Sequence, residues 1–382
     1  MKYIKLSKKV KSDILALGAQ GKASFAIGKK DKLYFSESFG DMSEAENFKV
    51  FKKAIDRELK RLKAYPKVIV CDMHPEYTST KLAEDIVGNG VKLKKVQHHK
   101  AHIAGSMIDN DIKGKVIGVS FDGTGYGEDG YIWGGEVFVG GLSGLKRVAH
   151  LKYVPMPGGE KVIYEPWRMA FSYLYDSYGP KAKDMKLSFL SKVNKTTLDV
   201  LIQAIDKNIN SPLTSSMGRL FDAVSSLTGI CINAKLDAEP AIALEKKMDE
   251  ATSCKTQDTR HKSQATGKTY KFDIKKEKDS YAISADNIIK NIVSDVKRKV
   301  RPGVISFKFH EAVVVMIKDM CKILRKRYRI NKIVLSGGVF QNNFLKEKAP
   351  VLLKKEGFKV YLHKDVPTHD GGISVGQVAL CV

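Results

Sequence analysis

The sequence contains no apolar run long enough to cross a membrane or to form the core of a signal peptide. The longest apolar stretch near the N-terminus runs only from Ile14 to Ala19, whereas a membrane-spanning helix needs about 20 apolar residues. Cysteine is scarce too, because the chain has five, an odd number without any C-x-x-C pair. That pattern argues against a disulfide framework and a structural zinc ribbon. We therefore expect a soluble cytoplasmic protein with reduced thiols and no membrane contact.

Acidic residues are few relative to basic ones. There are 42 Asp and Glu against 66 Lys and Arg, a formal net charge of +24 at pH 7. Such an excess of positive charge is typical of proteins that bind nucleic acid, so that function has to be considered. The basic residues are dispersed, however, in short runs such as Lys29-Lys30 and Lys354-Lys355 without interleaved aromatic residues. Runs of this kind are typical of solvated helix faces and turns. We therefore do not expect nucleic acid as a partner.

Two similar strand-hairpin units predict a duplicated α/β lobe, which a chain of 382 residues is long enough to contain. One unit spans residues 14–36 around a glycine-containing bend at 18–22, and the other spans residues 116–139 around a glycine-rich turn at 122–127. Glycines in such turns let backbone N–H groups approach a ligand closely. The hairpins therefore mark candidate ligand-binding edges.

The last third of the chain predicts a strand-helix-strand crossover. A strand at 332–336 is followed by the turn Gly337-Gly338, a helix over 341–355 and a further strand at 359–362. Ligands in such units lie at the carboxyl ends of the strands. Elsewhere, residues 43–46 form a capping box that predicts a helix start, and the polar residues 252–280 predict an exposed loop or small extension.

A histidine cluster at residues 97–102 is the most informative local feature. His98 and His102 are spaced i, i+4, so on a helix they share one face and can bind one metal ion. Two glycine-flanked acidic residues further along, Asp122 and Asp370, offer oxygen ligands. The alternative is a solvated helix start whose histidines have no function.

A second candidate pair, Arg219 and Asp222, lies on a predicted helix that starts near residue 215. Its core side would carry Leu220 and Val224, so the pair projects together on the other side. A surface ion pair and a ligand-binding pair are both compatible with that spacing.

Taken together, seven segments resemble the C-terminal transferase module of the HypF carbamoyltransferases, which act in [NiFe]-hydrogenase maturation. They occur in the family's order, at residues 16–19, 72–80, 97–102, 121–127, 165–168, 218–224 and 335–342. The resemblance implies the two-lobed actin/sugar-kinase/Hsp70-like α/β fold, with duplicated strand-hairpin and βαβ units. We expect a first lobe over residues 1–112 with the histidine helix, and a second over 113–382 with the nucleotide motifs. A helix from about residue 370 would pack back on the first lobe.

The resemblance also implies roles for individual residues. His98, His102 and Asp370 would hold a metal ion, with Asp122 as a further ligand, and a set of two imidazoles and two carboxylates suits iron or zinc. Asp222 would bind the ribose hydroxyls of an adenine nucleotide, and Asn342 would lie on the adenine side. The remaining cofactor-binding candidates are Gly123, Thr124, Gly125, Gly218, Arg219, Gly337 and Gly338.

The implied reaction is attack of an acceptor thiol on carbamoyl adenylate, with AMP leaving. The acceptor in this family is a C-terminal cysteine of HypE. Full-length HypF carries, before this module, an acylphosphatase domain, C-x-x-C zinc motifs and an adenylate-forming, YrdC-like domain. None of these is recognisable in this sequence, so we expect either a separate adenylate-forming partner or a different acceptor.

Three other functions stay open at this stage. The related tRNA threonylcarbamoyl transferases are favoured by the charge but disfavoured by Lys100-Ala101 between the metal histidines and by Asp122-Gly123-Thr124 in the second hairpin. An O-carbamoyltransferase is a second alternative, and a non-catalytic nucleotide-binding module is a third. His369 stands where the HypF family usually has Asn. This difference affects the expected local geometry around Asp370 and not its expected role as a metal ligand.

Overall fold

The computed structural model describes residues 1–253 and 270–382. Its strands are β1 Lys2–Lys5, β2 Ile14–Ala16, β3 Ala26–Lys29, β4 Lys32–Phe35, β5 Val68–Asp72, β6 Lys92–Val96, β7 Val116–Tyr126, β8 Ile132–Gly140, β9 Lys146–Leu151, β10 Val154–Pro155, β11 Leu213–Thr214, β12 Asp273–Lys276, β13 Tyr281–Ser284, β14 Lys332–Ser336 and β15 Lys359–Tyr361.

The α-helices are α1 Ala45–Leu62, α2 Thr78–Ile86, α3 His98–Asp109, α4 Lys161–Tyr164, α5 Trp167–Tyr178, α6 Lys195–Asp206, α7 Met217–Leu227, α8 Glu239–Ser253, α9 Asp286–Lys297, α10 Pro302–Tyr328, α11 Asn343–Lys355 and α12 Ile373–Ala379. Short 3₁₀ turns occupy Gly179–Asp184, Leu190–Lys192, Gly338–Gln341 and Asp370–Gly372. None of the described helices combines the length and the apolar composition needed to cross a bilayer.

The first sheet has six strands in the order β1-β4-β3-β2-β5-β6. Its centre is the hairpin β2-β3, and β5 pairs in parallel with β2, so that Leu15 lies opposite both Ile27 and Ile69. A βαβ crossover through α2 then places β6 parallel to β5. Strands covered on both faces have continuous apolar sequences rather than alternating ones, which explains why every residue of β2 is buried.

The second sheet, with nine strands among the described residues, repeats this pattern. The hairpin β7-β8 is followed by β14, parallel to β7, and β15 lies parallel to β14 after a crossover through α11. The central order β8-β7-β14-β15 therefore has the same strand directions as β3-β2-β5-β6. The predicted duplication of hairpin and βαβ units is confirmed, and the fold is the two-lobed actin/sugar-kinase/Hsp70-like fold.

Helices α3 and α12 pack against each other between the two sheets. Ile103 and Met107 of α3 pack with apolar residues of β7, β8 and β14, whereas α12 packs with those of β2, β3 and β5. Gly376 of α12 allows this close approach, because a Cβ there would lie 1.8 Å from the carbonyl oxygen of Ala101. The histidine helix is thus held against the second sheet and the C-terminal helix against the first. The predicted division at residues 112 and 113 stays a prediction.

Three local predictions are wrong. The glycine-rich segment 122–127 is mostly not a turn but part of β7, which continues to Tyr126 with a register shift between Phe121 and Gly125. A bulge absorbs the extra residues there. The capping box at 43–46 does not form, since Glu44 makes no side-chain cap bond and Asp41 accepts from Ser43 instead. Within the polar segment 252–280, residues 254–269 with Cys254 lie outside the described residues, and Asp273–Lys276 is a strand rather than a loop.

Candidate metal and nucleotide site

Four predicted ligands converge on one point. The Nε2 atoms of His98 and His102 lie 3.2 Å and 2.9 Å from Oδ2 of Asp122, and 3.7 Å and 3.8 Å from Oδ1 of Asp370. One ligand atom from each residue lies within 4.8 Å of the others. Both histidines and Asp122 are buried, while Asp370 is partly exposed. The four residues come from α3, from the bulge of β7 and from the 3₁₀ turn before α12.

The charges of this cluster are complementary. Burial by itself would lower the pKa of the His98 imidazole, but the carboxylates of Asp72, Asp122 and Asp370 raise that pKa well above its usual value. Burial would likewise raise the pKa of Asp122, yet His102 and His98 hold it well below its usual range. Imidazole nitrogens and carboxylate oxygens in one buried pocket are the ligand set of zinc and non-haem iron proteins.

Asp72 is a candidate functional residue that the sequence analysis did not single out. Its Oδ2 lies 2.8 Å from Nδ1 of His98, so the imidazole is oriented with Nε2 towards the cluster. A metal-binding histidine typically donates the N–H of its second ring nitrogen to a carboxylate in this way. The residues present therefore fit a metal ion. The available sequence signal was the position of Asp72 at the end of an apolar strand, because ligands lie at the carboxyl ends of parallel strands.

Close packing explains the glycines around Asp122. Oδ1 of Asp122 accepts hydrogen bonds from the backbone N–H groups of Gly123 and Gly338, at 2.9 Å and 3.1 Å. A Cβ on Gly338 would lie 2.8 Å from that oxygen, and one on Gly125 would lie 3.1 Å from Cδ2 of His98. The structure thus places Gly125 and Gly338 against the metal candidates. Their predicted role in nucleotide binding stays a prediction.

The start of α7 is joined directly to the strand that carries Asp122. Ser216 is the N-cap residue, and its Oγ accepts from the backbone N–H of Arg219 while donating to the carbonyl of Gly123. Gly218 packs on Gly123, since a Cβ at position 218 would lie 2.9 Å from the Cα atom of Gly123. Thr124, beside this junction, is half-buried. The two groups of predicted residues therefore belong to one continuous site.

Arg219 and Asp222 form a buried pair, so the surface alternative is wrong. Nε of Arg219 lies 3.0 Å from Oδ2 of Asp222, with side-chain exposures of 3% and 1%. The N–H does not point at that oxygen, and neither carboxylate oxygen of Asp222 has a hydrogen-bond partner among the described residues. Burial raises the pKa of Asp222 to about 6, although Arg219 lowers it. Buried carboxylates without hydrogen-bond partners are rare in native proteins. The two free acceptor oxygens of Asp222 are suited to a ligand with two hydroxyl groups.

Two further residues complete the surroundings. Asn342 follows the Gly337-Gly338 turn and is the N-cap residue of α11. Glu136, which the sequence reading missed, is fully buried and accepts hydrogen bonds from Ser215 and Gly134. Burial raises its pKa to about 8. A signal existed, because Glu136 is the one charged residue of an otherwise apolar strand and glutamate is rarely fully buried.

Comparisons with known proteins identify the family. Two protein-family models match, one described as HypF Kae1-like domain over residues 9–109, the other as Carbamoyltransferase, Kae1-like Domain, second subdomain over residues 118–377. The probable carbamoyltransferase HypF of Methanocaldococcus jannaschii is 34% identical over 374 residues, 96% of this chain and 46% of that protein. A carbamoyltransferase HypF homolog of Cupriavidus necator is 27% identical over 369 residues, 95% of this chain and 90% of that protein.

A solved structure is similar over almost the whole chain. The crystal structure of full-length HypF in the phosphate- and nucleotide-bound form superposes with a TM-score of 0.90 at 36% identity. The match covers 99% of this chain and 56% of that one. The chain thus spans about half the length of several of the proteins that it matches.

Proposed function

This chain belongs to the HypF carbamoyltransferase family, and we propose that it transfers a carbamoyl group from carbamoyl adenylate to the C-terminal cysteine of a HypE-type protein. The observation that carries the proposal is the continuity of the site, in which a buried two-histidine, two-aspartate cluster adjoins the helix that carries Asp222, a buried carboxylate whose oxygens have no hydrogen-bond partner among the described residues. Mass spectrometry of a HypE-type acceptor incubated with the protein and carbamoyl adenylate tests it.

The residues divide into a nucleotide side and a carbamoyl side. On the nucleotide side, Asp222 would accept hydrogen bonds from the two ribose hydroxyls, with Asn342 near the base. On the other side, His98, His102, Asp122 and Asp370 would hold iron or zinc. A bound metal would supply Lewis-acid polarisation of the carbamoyl carbonyl.

In the reaction the thiol sulfur bonds to the carbamoyl carbon as the bond from that carbon to the AMP phosphate oxygen breaks. The thiol proton is released, and AMP leaves. The chain's own contribution is positioning, because the α7 junction fixes the distance between the ribose carboxylate and the metal cluster. Fixed geometry of this kind can account for a large part of a rate enhancement.

Asp222→Asn should weaken adenosine binding by about 10- to 100-fold, the range expected from loss of charge-assisted hydrogen bonds. The wild-type affinity should also fall as the pH is lowered from about 8 to about 5, because a carboxyl with a pKa of about 6 becomes protonated in that interval. The variant should show no such pH dependence. Isothermal titration calorimetry measures both effects, and adenosine is chosen because it has no titrating phosphate.

Asp237→Asn is the matched control for this substitution. Asp237 also contacts Arg219, at 3.1 Å, but is largely exposed, so its variant should bind adenosine as the wild type does. Equal adenosine affinity in wild type and Asp222→Asn would remove the ribose role and leave Asp222 as a partner of Arg219 only.

Asp72→Asn should weaken metal binding by about 10- to 100-fold, the usual cost of losing a carboxylate behind a metal-binding histidine. The amide can still accept from His98, but it no longer increases the basicity of the imidazole. Dialysis against increasing chelator concentrations, followed by elemental analysis, gives the concentration at which half the metal is lost. Asp129→Asn, the same change in a hydrogen-bonded aspartate outside the cluster, is the control. Identical metal retention in Asp72→Asn and wild type would show that Asp72 does not support a metal ligand.

A further inference from the structure

His310 is a buried histidine of α10 that no part of the proposed reaction uses. It is enclosed by the rings of Phe221, Phe309 and Phe344, at centroid distances of 5.2 Å, 6.0 Å and 5.7 Å. Phe221 is the neighbour of Asp222 in α7, so His310 lies directly behind the nucleotide side of the site. A buried histidine in such apolar surroundings must have its polar atoms bonded, since leaving them unpaired is costly.

The hydrogen bonds of His310 determine its tautomer. Nδ1 lies 2.8 Å from the backbone carbonyl oxygen of Ser306, and because a carbonyl only accepts, Nδ1 carries the proton. Burial lowers the pKa of His310 to about 4, so the ring is neutral near neutral pH and Nε2 has a free lone pair. The Nε2 atom of His310 lies 3.0 Å from Nδ2 of Asn342. The asparagine is therefore the donor in this bond.

The other end of the Asn342 amide is fixed as well. Its Oδ1 accepts from the backbone N–H of Leu345 at 3.0 Å, as the N-cap of α11. A backbone N–H only donates, so this contact identifies the oxygen of the amide independently of His310. The two bonds together hold the amide plane in one orientation, in which one hydrogen on Nδ2 is left over.

We propose that His310 is a positioning residue that orients the Asn342 amide so that its remaining N–H donates to a ring nitrogen of the bound adenine. The inference rests on the proposed function, because it requires an adenine nucleotide next to Asn342. Purine ring nitrogens N1, N3 and N7 are acceptors in adenine, which matches a donor on the protein. The hydrogen bond distinguishes an adenine from a base that lacks the acceptor at that position.

Calorimetry with AMP and its 1-deaza, 3-deaza and 7-deaza analogues tests the proposal. Wild type should bind one analogue about tenfold more weakly than AMP and the other two with the affinity of AMP, since a single hydrogen bond of ordinary strength is at stake. His310→Phe keeps the ring volume but removes the acceptor. It should bind AMP as weakly as the sensitive analogue, and the difference between the two ligands should disappear.

Two further variants separate positioning from structural damage. His150→Phe makes the same change at another buried histidine whose Nδ1 also contacts a backbone carbonyl, that of Leu151, and it should keep the wild-type discrimination. Asn342→Ser retains a hydroxyl that can cap α11 but removes the amide, so it should lose the discrimination even if His310→Phe does not fold. In a double-mutant cycle the two losses should not add, because one residue acts through the other.

The outcomes are distinguishable from failure of the proposed function. Equal binding of AMP and all three analogues by wild type would overturn the inference and leave carbamoyl transfer standing. Retained discrimination in a folded His310→Phe protein, or in Asn342→Ser, would also overturn it. A wild type that neither binds AMP nor transfers a carbamoyl group would overturn the proposed function and this inference with it.

Discussion

The wild type should purify with a bound transition metal, and replacing His98 and His102 together with alanine should remove that metal and slow carbamoyl transfer at least about 100-fold. Two of the four candidate ligands are lost, and the carboxylates of Asp122 and Asp370 lose the His102 ring nitrogen that lies 2.9 Å and 3.8 Å from them. Removing one group that stabilises developing negative charge typically costs 10²- to 10³-fold in rate, and loss of a Lewis acid acts on the same charge.

Elemental analysis of protein purified without chelators, combined with the transfer assay, measures both effects. His150→Ala is the control for loss of a buried imidazole, because His150 lies in β9 away from the cluster. Circular dichroism should show that the double variant remains folded, since α3 is anchored by Ile103 and Met107. Absence of metal from the wild type, or undiminished metal in the double variant, would show that the site is wrongly assigned.

The metal candidates were predictable from sequence because each has a local signal. His98 and His102 are one helical turn apart, and Asp122 and Asp370 are both followed by glycine. These signals indicate candidate ligands of one ion, whereas their convergence depends on how α3, β7 and the turn before α12 pack together. Asp72 went unassigned for a related reason, since its contact with His98 follows from the parallel pairing of β5 and β6.

On the nucleotide side, local sequence patterns predict neither burial nor contacts between distant residues. The spacing of Arg219 and Asp222 predicts that the two side chains meet, but whether they lie at the surface depends on distant parts of the chain. Likewise, two adjacent glycines predict the turn before Asn342. The contact between Asn342 and His310, however, joins residues 32 positions apart in the sequence. The bulge in β7 was missed because a run of glycines after a strand is more often a turn.

The proposed transfer needs a source of carbamoyl adenylate. Forming it from carbamoyl phosphate and ATP requires a site that activates the carbamoyl group. In full-length HypF that site belongs to an adenylate-forming, YrdC-like domain. In the described part of this chain the nucleotide candidates form one connected site, since Phe221 beside Asp222 contacts His310, and His310 contacts Asn342. We propose that such a site supports transfer and that a separate adenylate-forming partner supplies the donor.

With carbamoyl adenylate supplied, the protein should therefore carbamoylate the C-terminal cysteine of a HypE-type acceptor to completion. With carbamoyl phosphate and ATP it should give little product until an adenylate-forming partner is added, because the nucleotide candidates among the described residues form one connected site, which is proposed to serve transfer. Mass spectrometry of the acceptor's C-terminal peptide follows the reaction, and an acceptor with that cysteine changed to serine is the control. Full carbamoylation from carbamoyl phosphate and ATP by this protein alone would contradict the need for a partner. No transfer from supplied adenylate would instead contradict the proposed acceptor or the proposed activity.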